Sequence, residues 1–159
     1  MTTPQKIKTC LWFGSNAEEA VRCYLSVFRR SRLLEELRAG DGGPGPKGSL
    51  VLAEFEIDGQ RFVALNGAPQ LKFTEAISLI VTCEAQEEID ELWSKLTADG
   101  GSEGQCGWLK DRFGVSWQIV PSALPRLLGH PEPARAARVM QAMMQIKKLD
   151  IARLEDAAR

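Results

Sequence analysis

Three neutral polar side chains stand where apolar ones are expected: Asn66 at the end of "RFVALN", Ser78 at the start of "SLIVT" and Gln118 inside "VSWQIV". Burying such a group unpaired costs on the order of 1–3 kcal/mol, so each needs a backbone group, a water or a ligand. Trp12, Trp108 and Trp117, with Phe13, are large rings on strand-like stretches, and strands of a curved sheet can line a ligand cleft. Together these residues suit recognition of a small apolar or aromatic molecule, with rings as walls and amides and a hydroxyl fixing its orientation. Taken singly, each has a plainer role in core packing or backbone satisfaction.

Harder chemistry has fewer residues to work with. A zinc, iron or manganese site gathers three or four His, Cys or carboxylate ligands, and the chain has one histidine, His130, in the proline-broken linker "GHPEP". The same shortage argues against Ser-His-Asp and Cys-His devices. Cys106 and Asp111 are the candidates for nucleophile or acid/base work, and neither has a visible activating partner. "GPGPKGS" echoes a phosphate-binding loop, but Lys47 is followed by Gly48 and then by a strand, not by the helix start that a phosphate cradle needs. It reads as a flexible hairpin connection able to fold over a ligand as a lid. No glycine-rich turn opens a helix after a strand, so neither a dinucleotide nor S-adenosylmethionine is expected as cofactor.

The elements that must position these residues follow from pattern. Residues 7–13 have strand character, and Ser15 with Glu18 fits a capping box for a helix carrying Ala17, Ala20, Val21, Tyr24, Leu25 and Phe28 on one face. Residues 32–38 read as a strand. "SLVLAEFEIDGQRFVALNG" is a hairpin whose Asp58-Gly59 suits a tight I′ turn. Residues 76–82 are again a strand and "QEEIDELWSKL" again a helix. Residue 17 falls on residue 86, an offset of 69, and the same offset lays strand 7–13 on 76–82 and Thr9 on Ser78. "FG" before VSWQIV answers "DG" before QRFVAL, which points to an internal duplication. Gln118 then corresponds to Val63, or to Ala64 if the turn shifts the register. Between residues 101 and 110 there is room for one good strand and one stub.

Beyond residue 121 the chain turns helical: a short helix at 122–128, a break at 129–133, a helix over 134–148 ending in Lys147 and Lys148, and a last helix capped by Asp150. Met140, Met143 and Met144 read as core or dimer contacts.

The chain has 159 residues and a formal net charge of −1, with a pI near 5.9. Such a length suits one domain made of two modules. The charge gives no electrostatic case for nucleic acid, and no apolar run is long enough to span a membrane. The polar start "MTTPQKIK" is not a secretory signal, so Cys10, Cys23, Cys83 and Cys106 are expected as reduced, buried thiols in a cytoplasmic protein.

The segments "CLWFGSNAEEAVRCYLSVF", "FEIDGQRFVALNG", "QEEIDELWSKL", "GQCGWLKDRFGVSWQIVP" and "RVMQAMMQIKKLDIARLE" resemble the PhnB-like branch of the vicinal oxygen chelate (glyoxalase/bleomycin resistance/dioxygenase) superfamily, from about Ile7 to Leu154. This branch carries the description 3-demethylubiquinone-9 3-methyltransferase. The resemblance implies an α+β fold of two βαβββ modules (7–67 and a shortened 76–121) with curved mixed sheets, C-terminal helices over 122–159, and a homodimer. In metal-using members the ligands come from the first and last strand of each module, and the last-strand pattern is roughly D-P-D-G-x-x-x-E-L. "DRFGVSWQI" fits it with Gln118 in place of the glutamate. Thr9, Val63, Ser78 and Gln118 do not make a divalent-metal site.

The expectation is therefore a metal-free cavity with Trp12, Asn66, Ser78, Trp108, Trp117 and Gln118 around a small-molecule ligand. An enzyme acting on a quinone-like aromatic compound and a ligand-free structural dimer are the alternatives.

Overall fold

The computed structural model describes residues 5–159, so the first four residues of the polar start lie outside the described residues. The chain divides into two compact units, one ending at Lys72 and one spanning Phe73–Arg159.

The first unit holds β1 (Thr9–Phe13), α1 (Ala17–Val27), β2 (Ser31–Arg38), β3 (Leu50–Ile57) and β4 (Gln60–Asn66). They form a four-stranded mixed sheet in the order β1-β4-β3-β2, with β1 parallel to β4. Asp58 and Gly59 both have positive φ, 48° and 81°, which closes the β3–β4 hairpin as its sequence predicts. The glycine–proline run 40–48 is a hairpin connection, tied by Ala39 N–H to Ser49 O at 2.8 Å and Gly48 N–H to Ala39 O at 2.7 Å. Strand alternation puts Leu11, Phe13, Ala53, Phe55, Phe62 and Ala64 on one buried face. Tyr24 of α1 stacks on Phe55, which stacks on Phe62. The other face, without a helix, is open.

The second unit repeats the order with β5 (Ser78–Cys83), α2 (Gln86–Thr97), β6 (Ser102–Glu103), β7 (Trp108–Lys110) and β8 (Ser116–Pro121), in the sheet order β5-β8-β7-β6. β6 is the expected stub. Leu109, Trp117 and Ile119 are buried on the face that carries Ile89, Leu92, Trp93 and Leu96 of α2.

The tail of this unit is α3 (Leu124–Leu128), α4 (Pro133–Met144) and α5 (Ile151–Ala157). Leu127, Val139, Leu149 and Leu154 are buried together, with Met143 packed on them, while Met140 and Met144 stay exposed. α4 stops at Met144, short of the predicted end at 148, because the chain there serves other bonds. Ile146 O and Lys147 O accept from Cys106 N–H and Gly107 N–H at 2.9 and 2.8 Å. Lys147 and Lys148 pair with Glu103 and Asp90 instead of ending a helix. Asp150 does cap α5, accepting from Arg153 N–H at 2.9 Å.

The duplication holds with one correction. Buried helix positions keep the offset of 69, as in Ala20/Ile89 and Tyr24/Trp93. The strands do not, because three residues separate β1 from α1 and only two separate β5 from α2. Phe13 therefore matches Cys83, Lys8 and not Thr9 matches Ser78, and Val63 and not Ala64 matches Gln118. One residue of slip exchanges the faces of a strand, so this gap decides which side chains share the open face.

Candidate functional site

In the second unit Ser78, Trp108 and Gln118, three of the four residues singled out in the sequence, lie on the open face of the sheet. Ile80, Gln118 and Trp108 are neighbours across β5, β8 and β7, and Ser78, Ser116 and Lys110 form the adjacent row. Residues paired in register share a face, so both rows point the same way. Gln118 Nε2 donates to Ser78 Oγ at 2.9 Å. Gln118, Ser78 and Trp108 are half-buried, and Ile80 is 62% exposed. Lys110 pairs with Glu75, and its ammonium holds the Glu75 carboxyl below its usual value.

Two other candidates have different work. Trp117 points to the helix face, is buried, and donates from Nε1 to Asp111 Oδ2 at 2.9 Å. Asn66 pairs in register with the buried Phe13. Its Oδ1 accepts from Ala17 N–H and its Nδ2 donates to Leu50 O, both at 2.9 Å. It therefore caps α1 from another strand. The capping box expected at Ser15 and Glu18 does not form: the N-cap residue is Asn16, without a side-chain cap bond, and Glu18 pairs with Arg22 and Arg38.

Trp12 lies on the open face of the first unit, 38% exposed, in a row with Leu65, Leu52 and Leu37. Its Nε1 donates to Ala68 O at 3.2 Å, and its indole lies over Gly67 so closely that a Cβ there would fall 2.3 Å from the ring. The two positions matching Ser78 and Gln118 are Lys8 and Val63. Lys8 Nζ bonds Glu54 at 3.0 Å, and Arg61 reaches the same carboxylate at 3.5 Å.

The acid/base candidates fare differently from expectation. Asp111 is 4% exposed, and its Oδ1 accepts from Phe113 N–H and Val115 N–H at 2.9 and 3.0 Å, while Oδ2 takes the Trp117 indole. That is a carboxylate building its own turn. Cys106 is half-buried with a positive φ of 60°. Of the four thiols Cys83 is buried and Cys10 exposed, which corrects the expectation that all are buried. Burial, reinforced by Glu88 and Glu84, pushes the Cys83 thiol up to about 12. His130 accepts through Nδ1 from Glu132 N–H at 3.0 Å and shapes the break before α4.

The four matched first- and last-strand positions, Ser78 and Gln118 in the second unit and Lys8 and Val63 in the first, do not fit a divalent metal. A hydroxyl and an amide bonded to each other, an ammonium and a valine offer no imidazole, thiolate or carboxylate. Among the described residues no group of three or more His, Cys, Asp or Glu is gathered where it could hold an ion. Among the described residues, hollows lie elsewhere: one of about 660 Å³ lined by Arg138, Gln141 and Asp156 on α4 and α5, and one of about 160 Å³ lined by Arg38, Leu25 and Leu33. Neither is lined by the six residues predicted from sequence. Sequence reasoning missed Ser116 and Lys110, although Ser116 stands two residues from Gln118 and alternation places it on the same face.

Two units in strand–helix–three-strand order, each a mixed sheet with one helix-covered face, define a vicinal oxygen chelate (glyoxalase-type) α+β fold. The chain belongs to the family described as 3-demethylubiquinone-9 3-methyltransferase, whose model matches residues 5–120. The family match thus ends before the helical tail. A PhnB protein from Bacillus cereus is 38% identical over 74% of this chain and 100% of its own, with a TM-score of 0.69. Protein PA1353 from Pseudomonas aeruginosa is 22% identical over 74% of this chain and 98% of its own, at a TM-score of 0.62. The FosX fosfomycin resistance protein from Listeria monocytogenes, in a structure with Mn(II) and 1S,2S-dihydroxypropylphosphonic acid, is 13% identical over 75% of this chain and 92% of its own, at 0.53. The last two likenesses are of fold alone. No curated protein sequence matches the chain. Among the described residues no helix is long and apolar enough to cross a membrane.

Proposed function

We propose that this protein binds a small apolar or aromatic molecule on the open face of the second unit's sheet, without a divalent metal, as a cytoplasmic homodimer. The observation that carries this reading is the 2.9 Å hydrogen bond from Gln118 Nε2 to Ser78 Oγ. It turns the first- and last-strand positions into one neutral polar pair, bordered by Trp108 and Ile80. A neutral pair beside an indole and an exposed aliphatic side chain favours an uncharged, ring-bearing ligand. The methyl transfer named in the family's description gains no support from Asp111, whose carboxylate oxygens are held by three N–H donors.

Calorimetric titration with 2-naphthol tests the proposal. Saturable binding is expected, weakened several-fold in Gln118→Leu and unchanged by 1 mM Mn(II) or by a chelator (hypothesis resting on about 1 kcal/mol for the amide). Equal binding by Gln118→Leu would remove the amide from recognition, and tightening by Mn(II) would overturn the metal-free reading.

A further inference from the structure

Ser116 has a hydrogen bond left to make. Its Oγ is the buried side-chain oxygen that finds no partner among the described residues, and the residue is 1% exposed. Trp117 and Ile119 point to the helix face, so Ser116 and Gln118 point to the open one. In register, Ser116 stands between Ser78 and Lys110. Ser78 Oγ accepts from Gln118, which leaves its own proton to donate. The row therefore offers two hydroxyl donors beside a Lys110 ammonium already paired with Glu75, with Trp108 and Ile80 in the next row. An unpaired buried hydroxyl destabilises the free protein, and a ligand that completes it recovers that free energy on binding. A site built to hydrogen-bond a particular group also discriminates strongly against the analogue lacking it.

We propose that Ser116, with Ser78 beside it, is the specificity-determining residue of this face, and that its ligand is a ring bearing an acceptor oxygen, a ketone carbonyl. The oxygen takes hydrogen bonds from the hydroxyls at the buried end of the face, and the ring lies along Trp108 and Ile80. This inference rests on the proposed binding role of the same face.

The test compares 1-tetralone with tetralin, which share a ring skeleton and differ in the carbonyl, by calorimetry on the full chain. 1-Tetralone is expected to bind about tenfold more tightly than tetralin. Ser116→Ala is expected to bring the two within about twofold while raising the melting temperature of the free protein. Equal binding of both probes by the wild type overturns the inference and leaves the binding role intact, since the face then reads only the ring. An unchanged preference in Ser116→Ala also overturns it. Failure of both probes to bind at millimolar concentration overturns the binding role, and this inference with it.

Discussion

Asn66 caps the helix that begins at Ala17: its Oδ1 accepts the Ala17 N–H at 2.9 Å across 49 residues of sequence, while its Nδ2 holds Leu50 O. One side chain thus ties the N-terminus of α1, the end of β4 and the start of β3. The neutral polar residue that looked like a ligand contact is a structural tie.

Asn66→Ala is therefore predicted to destabilise the first unit by about 1–2 kcal/mol, the usual cost of a lost cap with a second bond removed. Urea denaturation should show this shift, and 2-naphthol affinity should stay at the wild-type value. A tenfold loss of affinity in a folded Asn66→Ala protein would return Asn66 to the site.

Asp111→Asn should be costly although the change is nearly isosteric. The carboxylate accepts three N–H groups, and an amide must turn its own NH2 toward one of them. Bonds to a charged acceptor are worth roughly 1.5–3 kcal/mol, so a loss of about 2–3 kcal/mol is expected. Thermal unfolding, followed by circular dichroism, measures it; a variant as stable as wild type would contradict the assignment.

Gly67→Ala places a methyl 2.3 Å from the Trp12 indole. The ring must move and give up its bond to Ala68 O, at a cost of about 1–3 kcal/mol typical of overpacking. Altered tryptophan emission with retained secondary structure is the expected signature. Unchanged emission would mean that Trp12 is not seated there.

The tail should loosen in acid. The Lys148 ammonium, and then the Gln86 amide, hold Asp90 below the ordinary aspartate value. A depressed carboxyl contributes its stability in full above the unfolded-state value, and loses it as pH falls through the lowered folded-state value. Both side chains are more than a third exposed, so the pair is worth at most about 1 kcal/mol. Asp90→Asn should melt below wild type at pH 7, with the gap closing below the aspartate range. A gap independent of pH would assign the loss to packing.

Much of the fold is legible because local pattern carries it. Asp58-Gly59 can hardly be anything but a tight turn, and Ile89, Leu92, Trp93 and Leu96 mark one helix face at 3.6-residue spacing. Gln118 and Ser78 are each legible as polar residues in apolar strands, and the resemblance places them on a last and a first strand; the structure joins them by a 2.9 Å bond. What misleads is whatever depends on distant partners. The capping box at Ser15 is locally plausible, yet Asn66 supplies the cap, and Arg38 and Arg22 take Glu18.

The sequence by itself determined the order of elements, the duplication and the absence of histidine from the ligand strands, since periodicity, turn chemistry and residue type are local properties. Tertiary structure decided which polar residues share a face. A connection one residue shorter in the second unit, 84–85 against 14–16, makes Lys8 and not Thr9 the counterpart of Ser78 in the repeat. Register then placed Ser116 between Ser78 and Lys110 and turned Trp117 and Asn66 toward the helices. Strand alternation converts such a single-residue difference into a change of face, and no pattern along the chain shows which register the sheet adopts.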